Sequence, residues 1–191
     1  MRRFSALLFF VCLCFAGIAT AQAPTSANVF VGYSFEHAGA SALNAPLASN
    51  RPNLQGWQAS VEGKVFGPIG IVADFSGHYG SQSYFFAVPA GPGTPFTPTV
   101  TGHELEVLFG PRFSLPIRRL RLFVQSEFGL AHMNTDVFGS DTSFAVAAGG
   151  GVDYRIIRPI AWRAEVDGVF TKLFDASQAN LRISTGIVFR F

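Results

Sequence analysis

Cysteine is almost absent from this sequence of 191 residues. The chain has two cysteines, Cys12 and Cys14, and both lie in an apolar stretch near its amino terminus. A disulfide framework or a thiol-based active site in the rest of the chain is therefore excluded. Neither cysteine has the small preceding residues of a lipoprotein signal, so we interpret both as apolar residues of a targeting segment.

That amino-terminal segment has the three parts of a secretory signal peptide. Basic residues at positions 2 and 3 precede an apolar run over 4–18, and the small residues Ala19 and Ala21 flank a cleavage position. The alternative frame over 21–23 would leave Pro24 at the first position after cleavage. We therefore predict a signal peptide over 1–21 and a single domain over 22–191.

Long apolar runs and net charge are also missing beyond residue 21. The chain is 49% hydrophobic and contains 21 Phe, yet no later run is long enough for a membrane helix. Arg2 and Arg3 account for two of the 14 basic residues, and the remaining 12 equal the number of acidic residues. A nucleic-acid partner, which favours a basic surface, is not supported.

Instead of long runs, the sequence has short segments in which apolar and polar side chains alternate. Alternation of this kind is typical of β-strands, whose side chains point to opposite faces with a period of two. In every segment the charged residues are confined to one face. The eight segments are 28–36, 57–65, 71–79, 104–113, 121–130, 144–155, 160–170 and 184–191.

The uncharged face of these strands is predicted to meet lipid. Strands that face hydrocarbon must close into a barrel, because every backbone amide has to be paired inside the protein. The segments therefore predict an all-β, eight-stranded antiparallel up-and-down transmembrane barrel. Aromatic residues near strand ends, such as Tyr33, Trp57, Tyr154 and Trp162, suit the girdles at membrane interfaces. A soluble calyx of lipocalin type would invert the two faces and remains an alternative.

The connections between segments are predicted to alternate in length. Short links are expected at 67–70, 115–118 and 157–159, and longer ones at 37–55, 80–102, 132–141 and 172–179, the last being shorter than the other three. Outer-membrane barrels have this pattern, with short periplasmic turns and longer extracellular loops. Within the fourth segment, Pro111 removes a ladder donor, so we expect a bulge or a strand end there.

The last eight residues resemble the closing strand of bacterial outer-membrane barrels. Ser184, Gly186, Phe189 and the terminal Phe191 match the carboxyl-terminal assembly signal of that family. With 108–113 and 149–153, this ending is similar to the small OmpA/OmpX-like outer-membrane β-barrel domains.

The resemblance implies a monomer in the bacterial outer membrane with both termini in the periplasm. Its expected partners are outer-membrane lipid and lipopolysaccharide, together with periplasmic chaperones and the barrel-assembly machinery, which Gly186, Phe189 and Phe191 would contact. No cofactor is implied.

The charged face is predicted to fill the barrel. The interior of an eight-stranded barrel is just wide enough for side chains, so a diffusion pore is disfavoured. Mixed charges in this space imply pairing. Counting residues outward from the connections between neighbouring antiparallel segments predicts the pairs Asp153 with Arg163, across the third short link, and Asp167 with Arg182, across the last connection. The predicted interior charge network is Glu62, Lys64, Asp74, Glu104, Glu106, Arg112, Glu127, Asp153, Arg163, Glu165, Asp167 and Arg182.

No catalytic or metal-binding residue is indicated by the sequence. The histidines, His37, His78, His103 and His132, lack ligand spacing, and none starts the His-x-Ser motif of lipid A deacylases. We therefore expect a role in envelope structure or in surface-loop contacts such as adhesion. A lipid-modifying barrel enzyme is the alternative. Such an enzyme would need a His, an Asp and a Ser near the outer rim of the barrel, and the candidates for this rim set are His37, Ser41, Asp141 and Ser143.

Overall fold

The protein is an eight-stranded β-structure. The computed structural model describes residues 26–37, 53–83, 99–136, 139–173 and 176–191, so the predicted signal peptide lies outside the described residues. No apolar helix of membrane-spanning length occurs in these ranges. The strands are β1 Ala27–His37, β2 Asn53–Phe66, β3 Ile69–Ser83, β4 Thr99–Ile117, β5 Leu120–Thr135, β6 Gly139–Ile157, β7 Ile160–Leu173 and β8 Ala176–Arg190.

The strands form one closed antiparallel barrel. Each strand pairs with its neighbour in sequence, and β1 also pairs with β8. This seam runs from Asn28 opposite Arg190 to His37 opposite Leu181. Closure leaves no strand edge with unpaired amides, which is the condition for a sheet to stand in lipid. The predicted fold class is confirmed.

The two faces of the sheet are also as predicted. On β3, Ile71 and Phe75 are exposed on the outside, whereas Val72 and Asp74 are fully buried inside. The same alternation holds around the barrel, so that the charged residues lie inside and the large exposed side chains form an apolar outer wall. This arrangement is the reverse of a soluble calyx, and that alternative is wrong.

The strands extend beyond the predicted segments at one end of the barrel. β4 begins at Thr99 instead of residue 104, and β5 continues to Thr135 instead of residue 130. Outward side chains in these extensions are polar, so alternation of apolar residues no longer marks them. They bond in cross-strand pairs that form a polar collar: His37 with Asn53 at 2.7 Å, Ser81 with Thr101 at 3.3 Å, and His132 with Thr142 at 2.7 Å.

Two ends of the barrel can be distinguished by their connections. At the turn end, two-residue turns join β2 to β3 at Gly67–Pro68, β4 to β5 at Arg118–Arg119, and β6 to β7 at Arg158–Pro159. The second turn was expected at 115–118, but β4 includes Pro116 and ends at Ile117. The first and last strands also begin and end here.

At the opposite, loop end, only two of the four connections are long. Residues 38–52 join β1 to β2, and 84–98 join β3 to β4. The other two connections are 136–138 and 174–175, because strand pairing continues to Thr135 with Gly139 and to Leu173 with Ala176. The prediction of four connections longer than the turns was therefore wrong for the last one, which is as short as a turn.

Pro111 is accommodated without a bulge or a strand end. It lies opposite Ile71 in the pairing of β3 with β4. On its other side, the pairing of β4 with β5 is interrupted between Phe109 and Arg112 and resumes in the same register. The missing amide of proline therefore falls in a short gap of the ladder.

Candidate functional site: the charged barrel interior

The chemistry of this protein is concentrated inside the barrel. Among the described residues, nine carboxylate side chains and four arginines are buried, and Arg190 is half-buried. Charges taken out of water destabilise a fold unless they are paired and hydrogen-bonded. The interior divides into two clusters whose charge balance differs.

The turn-end cluster is rich in arginine. Arg163 Nε donates to Asp153 Oδ1 at 2.7 Å and its Nη2 donates to Asp153 Oδ2 at 3.2 Å, which is the bidentate geometry of a strong pair. Arg121 pairs with both Glu62 and Asp153. The cluster consists of Arg112, Arg121, Arg163 and Arg190 with Glu62, Asp153 and Glu165.

Two guanidinium groups of this cluster lie over aromatic rings. Arg112 and Arg163 each lie 4.5 Å from the centre of the Phe123 ring, and Arg163 also lies 5.0 Å from that of Phe30. A ring face attracts a cation electrostatically. Phe123 therefore allows two arginines to lie in the same confined space.

The loop-end cluster has one arginine at its centre. Nη1 of Arg182 donates to Glu106 Oε2 at 2.9 Å and to Asp74 Oδ1 at 3.2 Å, and Nη2 donates to Asp167 Oδ2 at 3.2 Å. Glu127 lies 3.9 Å away. The cluster consists of Arg182 and His78 with Glu36, Asp74, Glu104, Glu106, Glu127 and Asp167.

Two amide side chains join the clusters. Gln58 donates to Asp74 at 2.5 Å and to Glu165 at 3.0 Å. Gln125 donates to Glu165 and to Asp167, both at 3.0 Å. The interior is therefore a continuous cross-linked plug. Apolar side chains fill the adjoining space: Leu108, Ala131, Ala145, Ala147 and Val169 in one group, and Phe30, Ala161 and Val188 in another.

The structure brings together most of the predicted network. Asp153 lies opposite Arg163, and Asp167 lies opposite Arg182, which are the two pairs predicted from the spacing of residues around the connections. Lys64 differs, since it is half-buried near the turn end and takes part in none of the ion pairs found between described residues.

Sequence reasoning left two residues of the loop-end cluster out of the network. Glu36 and His78 lie at or next to the ends of the predicted segments 28–36 and 71–79, where a side chain can equally reach solvent. Both are fully buried, and His78 Nδ1 lies 3.4 Å from Glu36 Oε2. The signal that could have identified them is their inward register on strands that continue past them.

His78 also contacts a serine, which creates a hydroxyl, imidazole and carboxylate in line. Ser34 Oγ lies 2.9 Å from His78 Nε2, and Ser184 Oγ donates to Ser34 Oγ at 3.0 Å. A nucleophilic serine needs a similar arrangement, together with access for its substrate. Ser34 is 0% exposed, so a substrate cannot reach its hydroxyl.

The rim set suggested for a lipid-modifying enzyme is not assembled by the described residues. His37 is bonded to Asn53, and Ser143 donates to the carbonyl oxygen of Phe144 at 3.3 Å. Ser41 lies outside the described residues. An open groove of about 630 Å³ lies between β6, β7 and β8, but the residues lining it include no histidine or carboxylate: Ser143, Phe144, Phe170, Thr171, Lys172, Ser177 and Ala179.

The residues of the assembly motif lie on the seam. Gly186 faces Gly32 on β1, and a Cβ at Gly186 would lie 2.3 Å from the carbonyl oxygen of Val31. Phe189 and Phe191 are exposed on the outer wall. The amide of Phe191 donates to the carbonyl oxygen of Ala27 at 2.9 Å, so the seam extends to the last residue.

No protein-family model matches the chain, and no curated protein matches it.

Solved structures similar to this one are membrane barrels. Neisserial surface protein A superposes with a TM-score of 0.63 at 12% identity, over 86% of this chain and 97% of that one. The attachment invasion locus protein Ail of Yersinia pestis gives a TM-score of 0.49 at 14% identity, over 87% and 98%. The outer membrane protease OmpT of Escherichia coli gives 0.47 at 9%, over 88% and 97%. The similarity in fold rests on the first of these superpositions. The chain therefore has the fold of the small eight-stranded outer-membrane β-barrels.

Proposed function

We propose that this chain is an integral outer-membrane barrel that serves envelope structure and presents its loop end for contacts at the cell surface. The loop end would face outward, and both termini would lie in the periplasm. The observation that carries this proposal is the combination of an apolar outer wall with an interior closed by cross-linked charges.

Two bands of exposed aromatic side chains support the membrane position. Tyr33 and Trp57 are paired on β1 and β2 towards the loop end, and Tyr154 and Trp162 are paired on β6 and β7 towards the turn end. Their rings suit the two interfaces of a bilayer, because each has an apolar body and a polar atom. The polar collar lies beyond the aromatic band nearer the loop end, where it would meet headgroups and water.

The closed interior argues against a channel. Arg182 and Arg163 both extend into the interior, and every carboxylate they contact is itself buried. Solute passage would require these pairs to separate in a space of low dielectric, which is costly. A transport function is therefore disfavoured by the same side chains that fill the barrel.

The long connections are the candidates for surface contacts. A rigid scaffold commonly carries its function on loops. In sequence, 38–52 and 84–98 contain one charged residue, Arg51, and the second connection contains Tyr84, Phe85, Phe86 and Phe96. This composition favours a partner recognised by aromatic and neutral polar contacts.

Replacing each long connection by Asn-Gly tests this assignment. His37 pairs with Asn53 and Ser83 with Thr99, so a two-residue turn fits both registers. We expect the shortened barrels to reach the outer membrane and to show a normal mobility shift on gels between boiled and unboiled samples. Cells lacking the natural protein should regain detergent resistance with either barrel if the role is structural, whereas adherence to a matrix-coated surface should be lost when 84–98 is replaced.

Each replacement is the control for the other, since both remove a connection of similar length at the same end. Steady ion conductance by the wild-type barrel in a planar bilayer would contradict the proposal. Recovery of the wild-type protein in the soluble fraction would contradict it as well.

A further inference from the structure

The loop-end cluster has too few cations for its carboxylates. Arg182 is its one arginine, and it contacts four of the six carboxylates, Asp74, Glu106, Glu127 and Asp167. Glu36 and Glu104 are also buried and have no ion pair with an arginine within the described part of the chain. The turn-end cluster has the opposite balance, with four arginines facing three carboxylates. An uncompensated buried carboxylate is strongly destabilising, so the loop-end cluster requires either a bound cation or protons on some of its carboxylates.

Three residues of this cluster have donor atoms close enough together to bind one metal ion. Glu36 on β1, His78 on β3 and Glu106 on β4 are all buried, and each can offer one donor atom such that the three atoms lie within 4.8 Å of one another. The 3.4 Å between His78 Nδ1 and Glu36 Oε2 is close to the edge of a tetrahedron with bonds of about 2.0–2.1 Å, the usual lengths for Zn–N and Zn–O.

Each of these three side chains is held by one polar atom and has the other without a hydrogen bond. Glu36 Oε1 accepts from Asn180 at 2.5 Å, and Glu106 Oε2 accepts from Ser76 at 2.7 Å. Glu36 Oε2, Glu106 Oε1 and His78 Nδ1 have no hydrogen-bond partner among the described residues.

The hydrogen bond between His78 Nε2 and Ser34 also suits a metal-binding imidazole, whose second ring nitrogen donates to a nearby acceptor. With Nε2–H donating to Ser34 Oγ, the lone pair is on Nδ1 and faces the carboxylates. Hydrogen bonds of this kind orient metal-bound imidazoles in proteins. Ser184 in turn donates to Ser34, so the ring is fixed from the β1–β8 seam.

Glu104 is the candidate for a fourth ligand, although it is not one of the three residues whose donor atoms lie within 4.8 Å of one another. Glu104 lies opposite His78 in the register of β3 and β4. Glu104 is buried, and neither of its oxygens has a hydrogen-bond partner within the described ranges. The neighbouring charges that act on it are those of Glu36 and Glu106, together with Arg182.

We propose that Glu36, His78 and Glu106, with Glu104, bind one divalent transition-metal ion of the Zn²⁺ class. Calcium and magnesium favour all-oxygen sites, whereas a donor set with an imidazole nitrogen suits zinc and its neighbours. The ion supplies the charge that the loop-end cluster lacks and joins β1, β3 and β4 below the two long connections. This site lies beyond the proposed surface function and does not depend on it.

Refolding the denatured full chain into detergent with and without ZnCl₂ tests the site, because a closed interior admits the ion while the barrel forms. After desalting, metal analysis should find one zinc per wild-type barrel, and the thermal unfolding midpoint should be higher with zinc than after refolding in EDTA. CaCl₂ at the same concentration should give neither effect.

Two variants and a control make the test specific. His78→Gln should bind no zinc at the concentration that saturates the wild type, and Ser34→Ala should weaken binding by roughly 10–100-fold, as for other residues that orient a ligand. His103→Gln, an exposed neighbour of Glu104 on the outer wall, should bind as the wild type does.

The mobility shift on gels shows which variants are folded. If His78→Gln fails to fold, zinc binding by Ser34→Ala tests the site. A folded wild-type barrel without zinc would overturn the proposal and would leave protons to neutralise the carboxylates. Unchanged binding in Ser34→Ala and in folded His78→Gln would overturn it too. Neither result would affect the surface assignment, which is tested by the loop replacements.

Discussion

Arg182→Met is expected to destabilise the barrel by about 3–5 kcal/mol, the range found when one partner of a buried ion pair is removed. Arg182 is fully buried and contacts Asp74, Glu106 and Asp167 within 3.2 Å. Methionine retains most of the side-chain volume, so the loss measures charge and hydrogen bonding instead of a cavity. The free energy of unfolding should be measured in urea after refolding in EDTA, so that a bound cation does not replace the arginine.

Arg190→Met is the matched control. Arg190 is half-buried, and its contact with Asp153 is 3.5 Å long, while Arg163 and Arg121 also pair with Asp153. We expect this variant to lose no more than about 1 kcal/mol, because Arg190 is partly solvated and Asp153 keeps two other arginine partners. Adding Glu106→Gln and Asp74→Asn to Arg182→Met should restore part of the stability. Equal losses in the two single variants would contradict a central role for Arg182.

Gly186→Ala is expected to destabilise the seam between β1 and β8. The added Cβ would lie 2.3 Å from the carbonyl oxygen of Val31 and 2.4 Å from Cα of Gly32. Both are backbone atoms, so the strands have to separate and cannot relieve the contact by a side-chain rotation. Overpacking costs about 1–3 kcal/mol, and we expect the upper end of that range because β1 and β8 are held together here. Urea unfolding after refolding in detergent measures the loss.

Gly168→Ala is the control for this substitution, because its Cβ would meet the ring of Phe170 at 3.5 Å, an ordinary contact. Its stability should change by no more than about 0.5 kcal/mol. Wild-type stability of Gly186→Ala would show that the seam tolerates a methyl group.

Deletion of Phe191 separates seam packing from recognition by the assembly machinery. The deletion removes only the outermost backbone bonds to Ala27, so refolding in detergent should be close to that of the wild type. In cells, we expect the same variant to accumulate unfolded in the periplasm. Normal insertion in cells would contradict the assembly role of Phe191, and failure in both settings would make its role structural.

The seam and the interior are coupled through aromatic packing. Phe30 of β1 lies over Gly32, whose missing Cβ would lie 2.6 Å from the ring, and the same ring carries Arg163 on β7. Gly32 and Gly186 thus allow close strand contact while Phe30 covers the gap that they leave. A resemblance to an assembly motif drew attention to Gly186, but the close approach to β1 becomes visible only when the barrel is closed.

The order of alternating residues by itself determined the strand number, the antiparallel closure and the face that meets lipid. Period-two alternation requires no knowledge of neighbours, because side-chain direction follows from local backbone geometry. Hairpin pairs such as Asp153 with Arg163 were accessible for the same reason, since a short turn fixes the register. The strand extensions at the polar collar were missed because outward residues there are no longer apolar.

Only the tertiary structure decided which charges meet across the barrel. Arg182 contacts Asp74 and Glu106 on strands distant in sequence, and Glu36, His78 and Glu106 come from three strands. Such contacts depend on the stagger of all eight strands after closure, which no single hairpin sets. Histidines that looked scattered along the chain could therefore include one that lies among carboxylates, because distance in a closed barrel is set by strand order and tilt instead of by sequence spacing.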